Sequence, residues 1–176
     1  ISSTAAAAGT TSGGAIAFNG TASYVSVPAS TDWATGTGNF SVEWWQYQTD
    51  NNTSARIFSV DKSPNASLAV TFNGGAFVVT VGGTNYILGS LGTYKNTWTH
   101  FAFVREGNTI RAYKNGVLLG SLTTTLSASN STSPLYIGSD TNAGSFFGGF
   151  ISNFHFVKGS AIYNSNFSPN AATSAV

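Results

Sequence analysis

Residues 98–120, WTHFAFVREGNTIRAYKNGVLLG, leave this chain little choice of fold. Phe101 and Phe103, with Trp98 ahead of them, fall at strand spacing, and residues 105–108 turn the chain. Residues 110–114 run back, and Asn115-Gly116 turns the chain once more into residues 117–120. Asn-Gly is the pair that a two-residue type I′ turn demands, because both central residues need positive φ. Three strands joined by two tight turns make a piece of antiparallel sheet, and a sheet with an apolar face has to bury it against another layer.

The same grammar runs through the rest of the chain. Residues 40–48, FSVEWWQYQ, alternate cleanly, with Phe40, Val42, Trp44 and Gln46 on one face and Ser41, Glu43, Trp45 and Tyr47 on the other. Both faces carry a Trp, so this strand is either covered on both sides or presents an aromatic outside. Residues 16–18, 24–27, 56–60, 68–72, 76–81, 84–88 and 135–137 read as further strands, and residues 146–157, FFGGFISNFHFV, as the last strongly apolar one. Between them stand Gly, Asn and Ser at the places where turns need them. Many short strands at such spacing predict an all-β fold, a two-sheet antiparallel β-sandwich. Helix has little support, because only 7% of the chain is charged and the Glu and Lys of long surface helices are missing.

Residues 1–14, ISSTAAAAGTTSGG, have no strand period and read as a low-complexity arm or linker. Residues 15–176 are expected to form a single domain with a partly packed C-terminal tail anchored by Ile162, Tyr163 and Phe167. The sequence opens at Ile1 without an initiator Met or signal peptide, which predicts a processed chain or a piece of something larger. An arm of this composition is expected to be held by a neighbour, either a second copy or another subunit of a virion.

Seven basic residues nearly cancel six acidic ones and are scattered, which argues against nucleic acid as a partner. No apolar run is long enough for a membrane-spanning helix. Cysteine is absent, which removes disulfides and thiolate metal sites from consideration. Sparse charge and a surface rich in Thr, Asn and Ser predict an extracellular or virion-surface location.

Four motifs then carry a resemblance. They are Ala17-Phe18-Asn19-Gly20 with Tyr24-Val25 and Val27-Pro28, and Phe40-Ser41-Val42-Glu43-Trp44-Trp45. Next come Trp98-x-His100-Phe101-Ala102 with Tyr113-Lys114-Asn115-Gly116, and finally Tyr136-Ile137-Gly138 with Phe147-Gly148-Gly149-Phe150-Ile151. In this order they resemble the concanavalin A-like jelly rolls of the laminin-G type, a superfamily of lectin, adhesion and glucanase-related domains. The tail, with Asn166-Phe167-Ser168-Pro169, is similar to versions seen in phage and other viral proteins. The resemblance implies a jelly-roll sandwich that binds glycans or cell surfaces, with a structural capsid or fibre protein and a glycoside hydrolase as alternatives. It also implies a calcium site near the loop of residues 138–144, where Asp140 and Asn142 are the candidate ligands. After Gly149-Phe150-Ile151 the family often has an acidic residue and then an Arg, whereas this chain has Ser152, Asn153 and His155.

Hydrolysis of a glycoside needs two carboxyl groups about 5–9 Å apart across one bond. The acids here, Asp32, Glu43, Asp50, Asp61, Glu106 and Asp140, include no closely spaced pair on one strand, so a non-enzymatic reading is preferred. His100 and His155 are read as structural rings bonded to a neighbour. Glycan recognition needs exposed aromatic faces with amides and hydroxyls beside them. Trp33, Tyr47, Tyr86, Tyr94, Asp140 and Asn142 are the candidate ligand-binding residues, with Tyr163 a further aromatic of the same kind. Trp44, Trp98, Phe103 and Phe150 are assigned to the core.

Overall fold

The computed structural model describes residues 14–61, 66–128, 133–139 and 145–170. Among these residues twelve strands alternate with turns: β1 (Ile16–Asn19), β2 (Val25–Val27), β3 (Phe40–Gln48), β4 (Ser54–Val60), β5 (Leu68–Asn73) and β6 (Ala76–Val81) in the first half. The second half supplies β7 (Thr84–Ser90), β8 (Thr99–Glu106), β9 (Thr109–Lys114), β10 (Val117–Thr123), β11 (Leu135–Ile137) and β12 (Gly148–Lys158). The only helical element among the described residues is a 3-10 turn, Thr31–Trp33, capped by the Ser30 side chain.

The strands form two six-stranded sheets. Sheet A has the order β1-β12-β3-β8-β9-β10 and sheet B the order β2-β11-β4-β5-β6-β7. Every strand pairing is antiparallel, as expected for a two-sheet sandwich. The organising stretch folds as read: β8, β9 and β10 are consecutive neighbours, and Asn115 and Gly116 take φ of 48° and 77°. Asn115 also locks the turn to β8, accepting from the His100 amide through Oδ1 at 2.9 Å.

Alternation along β3 settles the core. Phe40, Val42 and Trp44 are fully buried between the sheets, and Trp44 packs on Phe101, Phe58 and Phe77 at ring separations of 5.8–6.3 Å. The inward Trp44 Nε1 donates to Gln46 Oε1 at 2.8 Å, so the indole is buried without leaving its N–H unpaired. Fully buried Arg105 donates to three backbone carbonyls, of Gly107, Leu126 and Thr124, and so ties the irregular segment after β10 to the end of β8.

The two long seams of the sandwich differ. At one, β7 and β10 come together so closely that a Cβ on Gly120 would overlap the Leu88 carbonyl, and glycine is what permits the approach. At the other, β1 and β2 are only four and three residues long, and an apolar cleft of about 490 Å³ stays between the sheets.

Candidate functional site

Sheet A turns the odd-numbered residues of β3 outward. Ser41, Glu43, Trp45 and Tyr47 stand in a row, flanked in register by Val104, Ala102 and His100 of β8, and by His155, Ser152 and Phe150 of β12. This face is divided in two by the chain's own C-terminal tail.

The tail covers the Ser41–Glu43 half. Ser41 Oγ accepts from the Ile162 amide and donates to the Ser160 carbonyl. Tyr163 and Phe167 stack face to face, with centroids 3.6 Å apart, and Phe167 sits edge-on to Tyr113 and His100. The Phe167 amide donates to the Gly116 carbonyl at 2.9 Å, and Asn166 Oδ1 accepts from the Leu118 amide. Ala102, Val104 and Tyr113 thereby become a second small core closed by Ala161, Tyr163 and Phe167. Ile162, expected as an anchor, is 43% exposed, because it falls on the opposite side of the tail from Ala161 and Tyr163.

Glu43 is the polar pin of this closure. Its Oε2 accepts from Tyr163 Oη at 2.6 Å and from His100 Nε2 at 3.3 Å, and its Oε1 faces His155 Nδ1 at 3.3 Å. The hydrogen bond from His100, with those of Tyr163 and His155, outweighs burial and holds the Glu43 carboxyl at about 2, against an ordinary 4.5. Burial and the adjacent Glu43 carboxylate push the Tyr163 hydroxyl up. Both histidines are bonded to a neighbour as the sequence predicts, yet they lie on the outer face, and His155 is 57% exposed rather than set between the sheets. A bulge between Ser152 and His155 is the reason: the extra residue, Asn153 at φ 50°, rotates His155 outward.

The other half of the face is not covered by the described tail, and it is aromatic. Tyr47 packs against Trp98 at 5.9 Å and against Phe150 at 6.4 Å, with the rings tilted 58° and 63° to each other. Trp45 adjoins them and meets His100 at 5.3 Å. All four of these residues are half-buried. Trp98 and Phe150 are therefore not core residues: β8 begins at Thr99, and position 98 has the opposite parity to the inward Phe101 and Phe103. Phe150 lies beside Tyr47 and opposite Ala17, one residue from the inward Ile151.

Where β3 ends, a pocket of about 320 Å³ opens at the rim, lined by Thr53, Gly75, Gly92, Thr93, Tyr94 and Lys95. Lys95 bridges to Gln48, one residue beyond Tyr47, so pocket and aromatic strip share this end of the sandwich. Tyr94 is buried edge-on against Phe72, and burial, with the Asp50 charge, raises its hydroxyl pKa.

The described candidate residues read from the sequence do not gather at one place. Tyr47 is on the strip and Tyr94 in the rim pocket, whereas Tyr86 packs on the core from β7. Trp33 lines the inter-sheet cleft, donating to the Pro28 carbonyl and lying edge-on to Phe156. Asp140 and Asn142, the calcium candidates, lie outside the described residues. Among the described residues no three His, Cys, Asp or Glu side chains are placed to hold a metal.

Comparisons with known proteins agree with this architecture. Residues 19–162 match the sequence profile of the family described as the concanavalin A-like lectin/glucanases superfamily. No curated protein matches the chain significantly. Among solved structures, a heptameric SAP-like pentraxin from Limulus polyphemus superposes with a TM-score of 0.68 at 14% identity, covering 92% of this chain and 88% of its own. Domain 4 of the extracellular arabinanase AbnA from Geobacillus stearothermophilus, in complex with arabinotriose, gives 0.68 at 19% identity, with 84% and 71% covered. The CBM40 of the Ruminococcus gnavus IT-sialidase, bound to α2,3 sialyllactose, gives 0.65 at 11% identity, with 85% and 91% covered. At these identities the likeness is one of fold.

Proposed function

We propose that this chain, which belongs to the concanavalin A-like lectin/glucanases superfamily, is a non-catalytic glycan-binding module that works on an extracellular or virion surface. The observation that carries the reading is the strip of Trp45, Tyr47, Trp98 and Phe150, half-buried rings that the described tail does not reach on a face whose other half it covers. Half-buried rings fixed by their neighbours are what a pyranose stacks on, at small entropic cost to the protein. The rim pocket beside them adds hydroxyl and ammonium donors from Thr53, Thr93 and Lys95. Two of the solved structures with this fold hold oligosaccharides, which supports the same reading.

The described carboxylates favour binding over hydrolysis. Asp32 is bonded to Ser30, Asp50 to Gln48, Asp61 to Ser67 and Glu106 to Arg111, so no two act on a common partner. Glu43, the carboxylate at the centre of the sheet face, has its pKa driven down, opposite to what a general acid requires.

A glycan array probed with and without calcium tests the proposal, with Trp98→Ala and Tyr47→Ala as variants. Loss of one stacked ring is expected to weaken binding by about 1–2 kcal/mol, roughly 5- to 30-fold, while the thermal midpoint shifts little. Absence of binding to every glycan in both conditions, or full affinity in both variants, would refute it.

A further inference from the structure

The closed half of the outer face holds two polar atoms that the tail covers without pairing. His100 is 3% exposed and Tyr113 is fully buried. With Nε2 donating to Glu43, Nδ1 is the acceptor of the neutral His100 ring. Among the described residues, neither His100 Nδ1 nor Tyr113 Oη has a hydrogen-bond partner. Both rings meet Phe167, at 5.8 Å and 5.4 Å, so one apolar side chain closes over both. A buried hydroxyl or ring nitrogen left unpaired costs stability, and a face that needed only to be covered would be better served by Phe at position 113. Tyr163, in the same small core, shows the contrast: its hydroxyl is paired with Glu43.

The cover is lightly held. Phe167 belongs to no strand and is itself only half-buried. Its amide bonds the Gly116 carbonyl, and the neighbouring Asn166 side chain accepts from the Leu118 amide. The covered atoms also adjoin the aromatic strip, because His100 pairs in register with Trp45 and lies 5.3 Å from its ring.

We propose that Phe167 occupies a further saccharide subsite, continuous with the aromatic strip, and that the end of the tail is its displaceable cover. The inference rests on the glycan-binding reading above and extends the same surface by one position. With Phe167 displaced, sugar hydroxyls find a donor in Tyr113 Oη and an acceptor in His100 Nδ1, while the Tyr113 ring supplies apolar contact. Glu43 stays charged beside them, so the subsite suits a neutral sugar and disfavours an anionic one. A site open in only a fraction of molecules has its apparent affinity reduced by that fraction, so the tail sets how tightly a longer saccharide is held.

Whole-chain variants test this on an array of linear neutral and uronic-acid oligosaccharides, from di- to hexasaccharide. Phe167→Ala removes the cover, while Tyr163 keeps the tail on Glu43. It is expected to bind the longer neutral oligosaccharides at least about fivefold more tightly than the wild type does, with no gain for the acidic ones. Adding Tyr113→Phe should abolish that gain. Tyr113→Phe alone should keep or raise the urea midpoint, since the hydroxyl it removes is unpaired in the closed state. Wild-type affinity in Phe167→Ala, or a gain that survives Tyr113→Phe or extends equally to the acidic oligosaccharides, overturns the subsite and leaves the strip standing. A lowered urea midpoint for Tyr113→Phe overturns it too, because the hydroxyl is then satisfied by ordered water. If none of these proteins binds anything on the array, the glycan-binding reading falls and this inference falls with it.

Discussion

Replacing Glu43 by Gln removes one charge and little volume, and its effect follows from the geometry around it. The carboxylate takes hydrogen bonds from His100, Tyr163 and His155, and its pKa falls from an ordinary 4.5 to about 2. A group bound more tightly to its charged form in the folded state contributes stability above its unfolded pKa and loses it as pH falls toward the folded one. At 1.36 kcal/mol per pH unit, the shift sets an upper value of about 3 kcal/mol. The side chain keeps 20% of its exposure, so solvent screening lowers the expected contribution to about 1–3 kcal/mol. Urea unfolding followed from about pH 2 to pH 7 should show the wild type losing that increment between roughly pH 4.5 and 2, while Glu43→Gln starts lower and is flatter across the same window. Tyr163→Phe keeps the stack on Phe167 but loses one donor, so its curve is expected between the two. Parallel curves for wild type and Glu43→Gln would refute the account of Glu43 as the pin of the tail.

Three other substitutions test the frame around the site. Gly120→Ala places a methyl against the Leu88 carbonyl and should lower the thermal midpoint by roughly 5–10 °C, read by calorimetry, because the β7–β10 seam has to open. Gly116→Ala meets both a positive φ and the Phe167 carbonyl; the tail is expected to lift, with a loss of near-ultraviolet circular dichroism and rapid proteolysis after residue 158, at a cost of about 1–2 kcal/mol and with the sandwich intact. Arg105→Lys leaves two of three backbone carbonyls without a donor and should cost about 2–4 kcal/mol in chemical denaturation despite keeping the charge.

The sandwich was legible because alternation is a local property. FSVEWWQYQ states its own inner and outer faces, and Asn115-Gly116 its own turn, whatever the rest of the chain does. The site was legible only in pieces. Alternation puts Tyr47 on the face of β3 opposite Trp44 without saying which face is outward, and Trp98, expected in the core, lies outside it because its parity is opposite to that of Phe101. His155 reaches Glu43 only because Asn153 is an extra residue in β12, and a one-residue bulge changes the parity of everything after it without marking the composition. The tail gave the weakest signal. Tyr163 and Phe167 were expected to anchor it, but which face of which sheet they cover is decided by pairings more than a hundred residues away in sequence, such as Ile162 with Ser41 and Tyr163 with Glu43.

Dividing one sheet face between tail and solvent has a chemical consequence. The tail takes up the carboxylate nearest the strip, since Glu43 spends its lone pairs on Tyr163, His100 and His155, while Glu106, also on that face, is paired with Arg111. What remains outward is Trp45, Tyr47, Trp98 and Phe150, whose rings are tilted against one another rather than coplanar. A flat crystalline surface cannot lie on rings inclined at about 60°, whereas a single twisting saccharide chain can meet each ring in turn. On the proposed glycan-binding function, attraction at such a strip would come from apolar sugar faces, with direction supplied by hydroxyl and ammonium groups at the rim around Thr53, Thr93 and Lys95. The same strand that buries Trp44 inward to hold the sandwich together therefore holds Trp45 and Tyr47 outward at a fixed spacing, so that the pleat of β3 makes the fold and the proposed binding strip consequences of one alternation.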